Sequence, residues 1–354
     1  MRMQHSGVIA GLSAGCRMIL MGLIFIAAVS AADAQATSAS MVAAANNFLA
    51  TLDAKQRQNV LYAFTDDAQR RRWSNLPTPM VPRGGINLGS MSEKQKAAAM
   101  TLLSTALSAQ GFQKVIEIMQ GDEVNRQTET RQRGGGSIFG KDLYYISLLG
   151  TPSDSAPWML QFGGHHLALN ITVAGKNGIL TPTLTGAQPA VFMQDGKPVR
   201  PLAGESDKAL ALLNSLDAGQ RGKAILSYNV ADLVLGPGED GKTIQPEGLK
   251  ASAMTEQQKA MLLNVIAEWS DIVEDRSAAS RMTQLKADLN DTWFAWSGPT
   301  AVGTGGNIVG YYRIQGPHLV IEYAPQRLGG DPALHVHTMY RDPTNDYGRA
   351  VIAK

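Results

Sequence analysis

An internal repeat is the feature that most constrains the fold of this chain. Three pairs of segments match in the same order, at offsets of 164, 163 and 152 residues: Leu52–Arg57 with Leu216–Arg221, Met91–Ala97 with Met254–Ala260, and Gly164–Leu167 with Gly316–Leu319. Self-similarity over such a distance indicates repeated structural units. We therefore predict two sequence-related halves, at residues 35–200 and 201–354, packed as one globular unit.

The halves share an order of predicted elements. Each begins with helical patterns, in which Ser92-x-x-Gln95 and Thr255-x-x-Gln258 have the form of capping boxes. Strand-like apolar runs follow in both halves: Leu143–Leu149, Trp158–Phe162, Leu167–Val173, Thr292–Trp296, Ile308–Ile314, Leu319–Tyr323 and His335–Arg341. Helices followed by consecutive strands predict an α+β fold, with an antiparallel sheet in each half.

Composition excludes several classes of protein. The 354 residues include 44% hydrophobic and 18% charged residues, which allows a packed core and argues against global disorder. Lys and Arg number 32 against 30 Asp and Glu, so the basic surplus of a nucleic-acid-binding protein is missing. A single cysteine excludes a disulfide scaffold and a cysteine-based zinc site. No phosphate-binding loop or convincing dinucleotide fingerprint occurs.

The N-terminus has the pattern of a secretory signal peptide over residues 1–34. Positive charge precedes the apolar stretch Met18–Val29, and Ala32-Asp33-Ala34 fits the small-x-small cleavage rule. Cys16 precedes the apolar stretch, which is the wrong order for a lipoprotein cysteine. Cleavage after Ala34 predicts a periplasmic or secreted protein without stable membrane insertion; the alternative is a retained membrane anchor.

The histidines of the mature chain are confined to three strand-like segments: His165, His166, His318, His335 and His337. On a strand, His335 and His337 share a face because side chains alternate. Their imidazoles can converge on one metal ion, joined by one of the adjacent His165 and His166 and by Glu322. Such ligands suit zinc, copper, iron or manganese. The alternative is that these histidines are hydrogen-bonded structural residues.

Other polar residues near this pattern have several interpretations. Arg341, Asp342 and Asp346 follow the His-x-His pair and fit partners of the ligands, a general base or an ordinary capped turn. His318 lies four residues before Glu322, so both share a face if that strand is regular. A lone histidine in a strand is more often structural, and we rank His318 below the others.

Several longer strings carry a family resemblance: GGHHLALNIT, PTLTGAQPA, FAWSG, YYRIQGPHLVIEY and HVHTMYRDPTNDYG. With them the chain resembles, over residues 45–348, the bacterial and fungal family named domain of unknown function 3500. The family name implies no activity. The resemblance implies that the family pattern falls on these positions: His165, His166, Glu322, His335, His337, Arg341 and Asp342.

The leading functional hypothesis is an exported metal-dependent hydrolase. Its divalent ion is expected on His335, His337, His166 or His165, with Glu322, Arg341 and Asp342 as catalytic candidates acting on a small-molecule or polymer substrate. A copper- or iron-dependent oxidase is the close alternative, because ligand type alone does not select the metal. Non-catalytic metal binding, and ligand binding on tryptophan platforms, are further alternatives. One shared site requires the strand His335–Arg341 to lie beside Leu319–Tyr323 and close to His165 and His166.

Overall fold

A computed structural model describes Met1 and residues 38–129, 137–327 and 330–352. The predicted signal peptide, apart from Met1, lies outside these residues. The described chain forms a mixed α/β structure built on one large sheet.

The helices lie mainly before the strands in each part of the chain. Their bounds are residues 38–50 (α1), Ala54–Val60 (α2), Asp67–Arg70 (α3), Glu93–Ala106 (α4), Ala109–Glu129 (α5), Ala203–Ser215 (α6), Ala218–Ala224 (α7), Glu256–Ser270 (α8), Asp275–Ala287 (α9) and Arg349–Ile352 (α10). Within the described ranges, no helix is both long enough and apolar enough to cross a bilayer.

The predicted capping boxes are present at the starts of α4 and α8. Ser92 and Gln95 cap α4 reciprocally, and Thr255 and Gln258 do the same for α8. Two further boxes cap the short helices α2 and α7, through Asp53 with Gln56 and Asp217 with Gln220. The repeated sequence segments therefore encode helix starts.

Each long-helix box is joined to the short-helix box before it. The Gln95 amide donates to Gln56 Oε1 at 2.7 Å, and the Gln258 amide donates to Gln220 Oε1 at 2.9 Å. Both amides also donate to a backbone carbonyl, 3.0 Å away in the first case and 2.8 Å in the second. The repeated glutamines thus fix how a short helix meets a long one.

The strands have these bounds: Leu61–Tyr62 (β1), Ile86–Asn87 (β2), Tyr145–Leu149 (β3), Trp158–Gly164 (β4), Leu167–Ala174 (β5), Asn177–Ile179 (β6), Thr183–Ala187 (β7), Phe192–Gln194 (β8), Lys197–Val199 (β9), Leu249–Lys250 (β10), Trp293–Ser297 (β11), Tyr311–Gly316 (β12), Leu319–Pro325 (β13) and Val336–Arg341 (β14). Twelve of them form the large sheet, in the order β1-β3-β4-β5-β7-β14-β13-β12-β11-β10 with β2 beside β3 and β6 beside β5. Strands β8 and β9 form a separate hairpin.

All seven predicted strands are present, with shifted ends. The expected antiparallel sheet in each half is corrected in two respects: the strands of both parts join one sheet through the β7–β14 pair, and β1 runs parallel to β3, which makes that sheet mixed. This pairing arises because β1 reaches β3 through α4 and α5 rather than through a tight turn. Strand β7, between β5 and β14, was not predicted.

The two faces of the sheet are covered differently. On one face the helices pack, and the indole of Trp269 on α8 donates to Thr338 Oγ1 of β14 at 3.0 Å. The other face is covered by irregular segments, and Trp73 packs there with Leu184 of β7 and Met339 of β14. His337 and Met339 share this second face because side chains alternate along β14. The candidate site lies at the end of the loop-covered face.

Candidate metal centre

Three histidines from distant parts of the chain meet at one end of the β7–β14 pair. His166 is the second residue of the two-residue turn between β4 and β5, since Gly164 pairs with Leu167. His335 lies directly before β14, and His337 is on that strand. Strand β14 also pairs with β13, as the predicted site requires. Three of the four predicted metal ligands thus come together.

Their Nε2 atoms form a nearly equilateral triangle. The distances are 3.0 Å between His166 and His335, 3.1 Å between His166 and His337, and 3.1 Å between His335 and His337. A neutral imidazole nitrogen is either a donor or an acceptor. Because no nitrogen can be both, no assignment of protons turns all three contacts into hydrogen bonds. With all three Nε2 atoms unprotonated, their lone pairs would converge, which is the arrangement that a cation requires.

The dimensions of the triangle suit a transition-metal ion. At a bond length of about 2.1 Å, nitrogens this far apart subtend roughly 90–95° at an ion. Three ligands at such angles would occupy one side of an ion and leave its other side open. Open positions of this kind distinguish catalytic from closed structural sites.

The backbone around His166 is specialised for this placement. His166 has φ 58°, a left-handed conformation that is uncommon for residues other than glycine. A side chain on Gly186 would place its Cβ 3.2 Å from both Cβ and Cδ2 of His166. Gly186 therefore leaves the space that the imidazole occupies.

A half-buried arginine, Arg83, fixes the segment that meets His166. The Arg83 guanidinium donates to the carbonyls of Ser74 and Leu76, both at 2.7 Å, and to that of Gly164 at 3.1 Å. Burial lowers the pKa of Arg83 to about 10, so the group stays charged at neutral pH. Asn75, between the two anchored residues, accepts a hydrogen bond from the His166 amide at 3.3 Å.

His337 has polar neighbours at its other ring nitrogen. Asp232 Oδ1 lies 3.3 Å from His337 Nδ1, and the side-chain amide nitrogen of Asn75 lies 3.4 Å from both Nδ1 and Nε2. Asp232 comes from the irregular segment between α7 and β10, whereas Asn75 comes from the segment between α3 and β2. Irregular segments from both parts of the chain therefore reach the same imidazole.

Burial disfavours the charged form of His166. His166 and His337 are buried, and His335 is half-buried. Burial, together with the nearby imidazoles of His165, His337 and His335, holds the pKa of His166 well below its ordinary value of 6.5. His166 is therefore neutral at neutral pH, as a metal ligand must be.

His165 and His318 lie outside the triangle. The ring of His165 stacks on that of His166 with centroids 3.7 Å apart, and its Nδ1 lies 2.6 Å from Asp122 Oδ1 of α5. His318 is in the turn between β12 and β13, where its Nδ1 lies 2.9 Å from Thr344 Oγ1. Of the adjacent pair, it is therefore His166 that faces the cluster.

Glu322 is on the same face as His337 but bonds to the covering segment. Its two carboxylate oxygens accept the backbone N–H groups of Val234 and Leu235, each at 2.8 Å. The Tyr311 hydroxyl donates to the same carboxylate at 2.7 Å. Burial raises the pKa of Glu322, and these hydrogen bonds act in the opposite direction.

Arg341 and Asp342 lie at the far end of β14, with Arg341 about 13 Å from His337 along the strand. The Arg341 guanidinium pairs with Asp346 at 2.9 Å and with Asp240. Asp342 pairs with Arg281 of α9 at 2.8 Å and caps the following turn. These contacts place both residues in ion pairs rather than beside the three imidazoles.

Sequence reasoning did not identify Asp232, Asn75 or Gly186 as parts of the site. Asp232 and Asn75 lie in irregular segments whose course depends on tertiary contacts. Gly186 is within PTLTGAQPA, a string quoted above for the family resemblance, but its spacing gives no chemical signal. Only the i, i+2 spacing of His335 and His337 is itself a geometric signal.

Comparison with known proteins gives one finding. No curated protein and no solved structure matches the chain. The family model described as protein of unknown function (DUF3500) matches residues 34–349, which is nearly the whole chain and includes all three histidines of the triangle. The chain therefore belongs to the DUF3500 family.

Proposed function

We propose that the chain is an exported metal-dependent hydrolase whose divalent ion is held by His166, His335 and His337. The observation that carries the proposal is the triangle of Nε2 atoms, 3.0–3.1 Å on each side. Zinc, copper, iron and manganese all remain candidates, because imidazole ligands alone do not select the metal; three imidazoles with an open position are one known catalytic zinc arrangement.

The chemistry follows from the open side of the site. A divalent ion bound there would lower the pKa of a coordinated water and polarise a substrate oxygen. The protein contributes three neutral ligands, which leave the positive charge of the ion uncompensated. Burial of two of these ligands removes competing water from the back of the site.

The first test is elemental analysis of protein purified from its native source. We expect about one transition-metal ion per chain in the wild type and loss of that ion in His335→Ala. His318→Ala is the matched control, since it removes a histidine outside the triangle and should retain the metal. Metal-free wild-type protein, or equal loss in both variants, would contradict the proposal.

The second test separates the hydrolase from the oxidase. The metal-loaded protein is assayed with chromogenic esters and phosphoesters, and separately for oxygen consumption with small reductants. Hydrolysis that is lost in His335→Ala supports the proposal. Metal-dependent oxygen consumption without hydrolysis would establish the oxidase instead, and neither activity would indicate storage or delivery of metal.

We also propose that residues 35–200 and 201–354 are two copies of one ancestral unit. In both parts of the chain, the capping box of a long helix is linked to that of a short helix by the same hydrogen bond, in which a glutamine amide donates to a glutamine Oε1. The turns that carry His166 and His318 each join two long antiparallel strands. In this view the site combines a turn from the first copy with a strand from the second.

A further inference from the structure

We propose that Asp232 is the carboxylate that orients His337 for metal binding, and that Glu322 and Arg341 are positioning residues that hold Asp232 there. The proposal rests on the metal site proposed above. Glu322 and Arg341, both predicted as catalytic, would then act by holding the segment that covers the sheet and carries Asp232.

The contact between Asp232 and His337 has the required polarity. Asp232 Oδ1 lies 3.3 Å from His337 Nδ1, the ring nitrogen that is not part of the triangle. A carboxylate can only accept, so a hydrogen bond here requires the imidazole proton on Nδ1, which we infer over a bond from the Asn75 amide nitrogen at the longer distance of 3.4 Å. This tautomer leaves a lone pair on Nε2, the atom that faces His166 and His335. A carboxylate behind a ligating histidine also makes that ligand more basic.

The Asp232 carboxylate is itself fixed, although its side chain is 53% exposed. Its Oδ1 accepts the Gln326 amide at 2.8 Å and the backbone N–H of Leu233 at 2.7 Å. These two donors hold Oδ1 in the position from which it contacts His337.

The segment that carries Asp232 is held from the sheet. Glu322 of β13 receives the N–H groups of Val234 and Leu235, the second and third residues after Asp232. A fully buried carboxylate without hydrogen bonds is costly, so these bonds are not readily given up. Glu322 thus determines where the chain runs immediately after Asp232.

Arg341 holds the same segment from the ligand strand. Its Nη1 donates to the Leu235 carbonyl at 3.1 Å, while the rest of the guanidinium pairs with Asp240 and Asp346. Both backbone groups of Leu235 are therefore bonded to neighbouring strands. The strand that supplies His335 and His337 also supports the residue that orients His337.

The first experiment reads the tautomer directly in metal-free protein. In ¹⁵N-histidine-labelled wild type, we expect His337 to be protonated on Nδ1 alone at pH 7.5. Asp232→Asn should shift this ring toward a tautomer mixture, and Asp154→Asn, the same change at an exposed site, should not. A wild-type His337 protonated on Nε2 would overturn the proposal.

The second experiment measures metal affinity by competition with a zinc chelator. Asp232→Asn should weaken zinc binding by about 10–100-fold. Glu322→Gln should weaken it in the same direction, because the amide NH₂ repels one of the two backbone N–H groups. In the double variant the effects should not add, since both act through one contact. Lower thermal stability in Glu322→Gln with unchanged zinc affinity would overturn the role of Glu322.

Two further measurements cover a Glu322→Gln variant that does not fold and a wild-type protein that binds no metal. If Glu322→Gln does not fold, Tyr311→Phe removes one hydrogen bond to the same carboxylate, and unchanged zinc affinity in that variant counts against the role of Glu322. If wild-type protein binds no transition-metal ion, the proposed function fails. The tautomer of His337 in the metal-free protein still decides whether Asp232 orients it.

Discussion

His337 lies between two residues with little or no side chain, Gly186 on β7 and Ala324 on β13. Gly186 also makes room for His166, because a Cβ at residue 186 would lie 2.8 Å from the Val336 carbonyl oxygen and 3.2 Å from two His166 side-chain atoms. At the scale of single residues, the triangle therefore depends on an absent side chain as well as on its imidazoles.

Gly186→Ala is expected to displace His166 and weaken metal binding. Overpacking of this kind also destabilises a protein by about 1–3 kcal/mol. Metal content and urea unfolding measure the two effects. Gly222→Ala, on the exposed face of α7 with no atom near the added Cβ, should instead be neutral or stabilising by up to about 1 kcal/mol. Full metal content in Gly186→Ala would show that the site tolerates the added methyl group.

The buried imidazole of His166 predicts a pH dependence for the metal-free protein. Below its ordinary pKa of 6.5 the unfolded chain binds a proton at this residue, whereas the folded protein does not. Stability is therefore lost as the pH falls below 6.5, by up to about 1.4 kcal/mol per pH unit. Urea unfolding at pH 7.5 and 5.5 measures the loss. His166→Asn, which tolerates the positive φ, should show a smaller loss; an equal loss would assign the effect to other groups.

At the scale of elements, strands with turn and apolar signals in their own sequence were predictable, whereas β7, the strand between β5 and β14, was not. The strands β4, β5, β12 and β13 form hairpins whose turns and apolar runs are visible in the sequence. Strand β7 is short, follows Pro182 and contains Gly186, so its pattern resembles a loop. Its strand conformation comes from its neighbours, because it pairs with β5 on one side and β14 on the other.

The linked capping boxes allow the two parts of the chain to be compared by experiment. Gln95→Ala and Gln258→Ala each remove an amide that donates to a carbonyl and to the neighbouring box. We expect similar losses in the free energy of unfolding, about 1–2 kcal/mol for each. Gln110→Ala, on an exposed position of α5, is the control and should change little. Clearly unequal losses would argue against equivalent roles.

At the scale of the whole molecule, cleavage of the predicted signal peptide would set the N-terminus of the mature protein. Because Ala32-Asp33-Ala34 fits the cleavage rule, N-terminal sequencing of exported protein should begin near Gln35. Replacing Ala34 with a bulky residue, as in Ala34→Phe, should slow processing, while Ala31→Phe should affect it less. Mature protein that still begins at Met1 would favour the retained membrane anchor.

The meeting of the two parts of the chain was the least predictable feature of the molecule. The concentration of histidines in three strands indicated the ligands, and the i, i+2 spacing indicated a shared face. Which of His165 and His166 would turn inward depended on the φ of one turn residue. The position of Asp232 depended on a long irregular segment whose course is set by tertiary contacts, among them those of Glu322 and Arg341.

The separation of the ligands along the chain also determines when the site can form. His166 is 169 residues from His335 and 171 from His337, so closing the triangle in an unfolded chain would carry a large loop-closure entropy. In the proposed metal site, tight binding would therefore require the pairing of β7 with β14, and a nascent chain without that pairing would have no high-affinity site. The proposed ion would then be acquired from the compartment in which the chain folds.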